Sequence, residues 1–154
     1  MTGSIVLVLP YPLSANRYWR PVPIGGHITI VPTKEAKAYK ADVQALALRS
    51  GIRKPIAGRV NVHLALYPQR PQDWQKRAKL DPLTWDDTVR CIDLDNARKV
   101  LYDALKGVAF VDDNRIFEDS GKRMEPDGEA RVVVTITPLA LPAHPQAELL
   151  GAAA

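Results

Sequence analysis

Asp93, Asp95, Lys99, Asp112 and Asp113 span 21 residues of the chain, in the order Asp93-Leu94-Asp95-Asn96, Lys99, Asp112-Asp113. Carboxylate oxygens are natural ligands for a hard ion such as Mg²⁺. That ion keeps several waters and is usually held by one or two carboxylates plus substrate phosphate. Such an ion activates water and neutralises charge on a phosphate under attack. A nearby lysine does part of the same electrostatic work. The pattern is what a metal-dependent nuclease needs.

Each of these residues also has a plainer use. Asp93 or Asp95 can cap a helix N-terminus. Asp95 and Lys99, four apart, can form a surface ion pair. Asp112-Asp113-Asn114 can be a turn. The chemical reading needs one more condition. The chain after the helix must run back along it and deliver Asp113 to the Asp93–Asp95 pair.

Other chemistries fit less well. The sequence has no G-x-S-x-G, no H-E-x-x-H and no phosphate-binding glycine loop. His27, His63 and His144 lack metal-ligand spacing. The one cysteine, Cys91, excludes an internal disulfide and a cysteine zinc site, and reads as a small core residue. A reducing, cytoplasmic setting is expected. No apolar run approaches the ~20 residues of a membrane span, and the start lacks the basic residues of a signal peptide.

Charge is unevenly spread around a net +4. Residues 17–59 hold nine Lys/Arg against two acids, and 70–79 hold four against one. Residues 81–119 hold ten acids against five bases. Basic arms around an acidic centre suit phosphate tracking; an unevenly charged wet surface is the alternative. Arg17, Trp19 and Arg20 in the first loop, Lys34 and Lys37 on a helix face, and Lys76, Arg77 and Lys79 further on are the candidates for contact with nucleic acid.

The elements that must position these groups read as follows. Ile5–Leu9 is a strand stopped by Pro10 and Pro12. Val22–Ile30 is a hairpin turning at Gly25-Gly26. A helix starts after Thr33 and ends at Gly51, burying Ala36, Tyr39, Val43, Leu46 and Ala47. Arg59–Tyr67 alternates as a strand, with Val60, Val62, Leu64 and Leu66 inward. Residues 68–90 look like a long irregular loop whose two tryptophans dock somewhere. A second helix spans about Asn96–Lys106, burying Ala97, Val100, Leu101, Ala104 and Leu105 and stopping at Gly107. Arg131–Pro138 is the last strand, and 139–154 is a flexible tail. The expected architecture is a single α/β (α+β) domain over 1–138, a mixed sheet with two main helices packed on it.

The residues also resemble a known family, the RusA-like Holliday junction resolvases. The likeness rests on Asp93-Leu94-Asp95-Asn96, Lys99, Asp103-Ala104-Leu105 and Val111-Asp112-Asp113. Leu9-Pro10 and Ser14-Ala15-Asn16-Arg17-Tyr18-Trp19 support it. It covers most of residues 5–138. The resemblance implies a Mg²⁺-dependent homodimeric endodeoxyribonuclease, with Mn²⁺ as a substitute metal, acting on branched DNA. It assigns Asp93, Asp95 and Asp113 as metal-binding catalytic acids and Lys99 as the catalytic lysine, with Glu118 as an outer supporting group. The 70–90 stretch departs from the expected short basic lead-in and carries Asp81, Asp86 and Asp87. A non-catalytic branched-DNA-binding protein and a nuclease for other branched DNA are the alternatives.

Overall fold

Alternating β-branched and leucine residues build the sheet. In a computed structural model, which describes residues 3–142, β1 (Ile5–Pro10), β4 (Val60–Tyr67), β5 (Ile116–Arg123) and β6 (Arg131–Pro138) form one sheet in the order β1-β6-β4-β5. β4 is antiparallel to β6 and parallel to β5, so the sheet is mixed. Pro10 closes β1 at the sheet's edge, where its missing N–H costs no ladder bond. β2 (Trp19–Ile24) and β3 (His27–Pro32) make a separate ribbon. Gly25 and Gly26 both take positive φ there, 57° and 79°, as a tight two-residue hairpin turn demands.

The helices cover one sheet face. α1 is one turn, Ala15–Tyr18. α2 (Lys34–Arg49) starts where Thr33 Oγ1 accepts the Ala36 N–H at 3.1 Å. α4 (Leu94–Leu105) starts at Asp93 and stops before Gly107, which holds φ at 76°. Between β4 and α4 lies α3 (Trp74–Leu80). The inward side chains predicted for β4, β6 and α4 are buried, and Phe110 seals the core below α4. The sheet's opposite face has no helix on it in the described residues, and Val6 and Val8 are each 57% exposed there.

Three expectations need correction. Residues 68–90 are not irregular: they contain α3 and a turn of 3-10 helix, Trp85–Thr88. Both tryptophans are used there. Trp85 is buried with its Nε1–H donating to Glu125 at 2.8 Å, and the Trp74 ring lies 6.4 Å from it. The helices number four in the described residues rather than two, because α1 and α3 are too short to show a periodic stripe. The first loop, Ser14–Arg20, is a helical turn running into β2. Of the expected tail, residues 143–154, with His144, lie outside the described residues. No helix of the described residues is long and apolar enough to cross a membrane.

Candidate functional site

Asp93 caps α4 through both carboxylate oxygens. Oδ1 accepts the Asn96 backbone N–H at 2.7 Å and Oδ2 accepts the Asn96 side-chain amide at 2.9 Å. The backbone N–H, the amide and then Lys99 hold the Asp93 carboxyl below its ordinary range. Asn96 is itself tied down, because its Oδ1 accepts the Ala15 N–H at 3.0 Å. One residue thus links the capping aspartate to α1.

One turn on, Asp95 Oδ2 lies 3.0 Å from Lys99 Nζ, and both side chains are mostly exposed. Asp93, Asp95 and Lys99 therefore share the open N-terminal end of α4. A groove of about 500 Å³ begins beside it, lined among others by Tyr11, Arg17, Arg90, Cys91 and Ile92. The Tyr11 hydroxyl accepts the Ile92 N–H at 2.7 Å, and burial pushes its pKa up to about 12. Cys91 is half-buried against the core and takes the Tyr11 hydroxyl at 3.6 Å. Arg90 and Tyr11 escaped the sequence reading. Arg90 ended what looked like a loop, and Tyr11 stood between two strand-breaking prolines.

Asp112 and Asp113 sit at the other end. Asp113 opens a 3-10 turn, Asp113–Arg115, and Lys106 lies near both acids. The two carboxyls are hydrogen-bonded to each other, which raises the Asp113 pKa and lowers that of Asp112. The chain does then run back along α4. Asp119 of β5 accepts the Tyr102 hydroxyl at 2.8 Å and lies 3.0 Å from Arg98 Nε, and Gly121 packs against Leu94. The return begins after Asp113, however, so the strand that comes back carries Glu118 and Asp119 instead.

The 12 residues of α4 rise about 18 Å. That length separates Asp113 from Asp93 and Asp95 within one chain. No group of three acids or histidines able to hold a metal ion exists among the described residues. A hollow of about 320 Å³ at the far end is lined by Asp113, Glu118 and Asp119, but the latter two already accept from Asn61 and from Tyr102. Asp93 and Asp95 alone supply the one or two carboxylates that Mg²⁺ takes beside a substrate phosphate.

The basic candidates divide by partner. Lys34, Lys37, Lys76, Lys79 and Arg20 are exposed. Arg17 pairs with Glu35 at 2.6 Å, and Arg77 with Asp73 at 2.9 Å. Trp19 is half-buried, edge-on to Tyr18 at 4.4 Å, so it packs more than it projects. Tyr18 is buried, and its hydroxyl donates to Asp103 at 2.5 Å.

No curated protein matches the chain. A family model described as "Endodeoxyribonuclease RusA" matches residues 10–137, a span that runs from the first strand to the last and encloses both acidic ends of α4. With that match across most of its 154 residues, the chain belongs to the RusA endodeoxyribonuclease family.

Proposed function

We propose that the protein is a structure-specific endodeoxyribonuclease that resolves four-way DNA junctions by paired phosphodiester hydrolysis, working as a homodimer. The carrying observation is the Asp93–Asp95–Lys99 set at the open N-terminus of α4, inside the span matched to the family. Asp93 and Asp95 are the residues that would hold Mg²⁺. When bound, that ion supplies a polarised phosphate and a water of lowered pKa.

The chain's own groups do the rest. The Asn96 clamp fixes Asp93 in its ionised form and one orientation. Lys99, held by Asp95, places a positive charge that a phosphate oxygen can share. Arg17 and Arg90 flank the groove that leads from this end and position the DNA strand. Asp113, about 18 Å away in the same chain, reaches an Asp93–Asp95 pair when it belongs to the partner subunit. A two-fold arrangement builds two such sites, one for each strand of a symmetric junction.

Substituting Asp95→Asn tests this. With a synthetic four-way junction and Mg²⁺, the variant should lose cleavage by at least about a hundredfold and keep junction binding within about twofold. Cleavage at the wild-type rate would remove Asp95 from the site. The absence of a three-acid group in one chain favours a second reading, a branched-DNA-binding protein without catalysis. Wild-type protein that binds the junction but never cuts it, with or without chelator, would establish that reading.

A further inference from the structure

The dimer in the proposed function leaves open which surface joins the two chains. β5 is the end strand of the sheet, and no strand of the described residues pairs with its outer edge. An eight-residue edge with unpaired N–H and C=O groups is a template for another strand. Native proteins usually blunt such an edge. This one is neither short nor broken by proline.

Its sequence, Ile116-Phe117-Glu118-Asp119-Ser120-Gly121-Lys122-Arg123, carries acids in the first half and bases in the second. A strand with that order complements itself when run antiparallel. We infer that β5 pairs with β5 of a second copy of this chain about a two-fold axis at Ser120. Glu118 of each chain then lies opposite Lys122 of the other, and a small residue faces itself on the axis.

The charges select this register. Moving the axis to Asp119 or Glu118 sets like acids side by side, and moving it to Lys122 sets lysine on lysine, each unfavourable across a strand pair. An axis at Gly121 would rely on Asp119 and Arg123. Those two are engaged in their own chain, Asp119 with Arg98 and Tyr102, Arg123 with the carbonyls of Asp86 and Val89. Lys122 makes no ion pair among the described residues and sits beside Ala65, where nothing crowds it. Glu118 accepts only one neutral amide, from Asn61 at 3.1 Å. Both lie on the sheet face without helices, next to Asn61 and Ala65 of β4.

The other sheet edge, β1, reads Ile-Val-Leu-Val-Leu-Pro and offers no charge pattern to choose a register. Pairing at β5 has a further consequence, which rests on the proposed function. β5 runs antiparallel to α4, as its contacts with Tyr102, Arg98 and Leu94 show. Antiparallel β5 strands therefore set the two α4 helices antiparallel. The Asp113 end of each chain then points toward the Asp93–Asp95 end of the other.

The test is sedimentation of the full chain, with junction cleavage measured in parallel. Glu118→Lys and Lys122→Glu should each weaken dimerisation by roughly tenfold or more, since two cross-strand pairs become like-charged. The double variant Glu118→Lys/Lys122→Glu should restore it, which a misfolded protein could not do. Val8→Lys on β1 should sediment as wild type. Single variants that stay dimeric, a double variant that stays monomeric, or dissociation by Val8→Lys would each overturn the pairing. A wild-type monomer that cuts junctions would overturn both the pairing and the two-chain site. The predicted dissociation and rescue in a protein that never cuts would uphold the pairing and end the nuclease reading.

Discussion

Asp93 combines a structural task with a chemical one, and substitution can separate them. Its carboxylate accepts two hydrogen bonds from Asn96 and starts α4. Asparagine caps nearly as well as aspartate, whereas alanine does not cap. Asp93→Ala should lower the thermal midpoint by a few degrees and stop cleavage; Asp93→Asn should stop cleavage with a smaller thermal effect. Equal midpoints for the two variants would show that the cap contributes little. The Asp112–Asp113 pair offers a second measurement. Two carboxyls that share a hydrogen bond split their titrations, upward for Asp113 and downward for Asp112. Asp113 thus takes up its proton first as pH falls, so a reaction that needs its carboxylate loses rate on the acid side before ordinary aspartates titrate. Carboxyl NMR should place Asp113 above Asp112, and Asp112→Ala should bring Asp113 down toward the usual range. An unmoved Asp113 would mean that burial, the smaller cause, governs its shift.

Between β4 and α4 the chain is held by Trp85 rather than by a helix face. α3 buries no residue, while Trp85 is buried and donates to Glu125. Trp85→Phe removes that one hydrogen bond and should cost about 1 kcal/mol. Trp85→Ala also empties the pocket and should cost about 3 kcal/mol or more. Denaturant midpoints of the two variants would give the order, and a reversed order would show that the segment docks by other contacts. The same physics explains which elements were legible in the sequence. β4, β6 and α4 each bury one face completely, so period-2 and 3.6-residue patterns mark them out. α3 has no buried stripe to read. β5 was missed because an edge strand wet on both sides shows no alternation; its Glu-Asp-Ser-Gly-Lys-Arg run looks like a turn. Asp93, Asp95 and Lys99 were placed together because helix geometry is local. The position of Asp113 depended on where the returning strand begins, and no local pattern fixes that.

Across the whole molecule the charges sort by whether they already have partners. The net +4 understates what DNA would meet, because most carboxylates of the 81–119 stretch cap, bridge or accept within the fold, while several lysines point outward. Lys34 and Lys37 are exposed on α2 and make no ion pair among the described residues, whereas Arg17 and Arg77 are each matched to an acid. A lysine free in the protein and bound to a phosphate in the complex releases a counterion from the duplex. Each such contact adds about 0.9 to the slope of log affinity against log salt. Lys34→Ala/Lys37→Ala should therefore weaken junction binding and shrink that slope by about 1.8 if both residues touch the backbone. Arg77→Ala should change the slope by far less, since its charge is shared with Asp73 3 Å away. Binding isotherms over a salt series would read both. A double lysine variant with the wild-type slope would move the DNA track off α2 and toward the groove between Arg17 and Arg90. The next pair to remove would then be those two arginines.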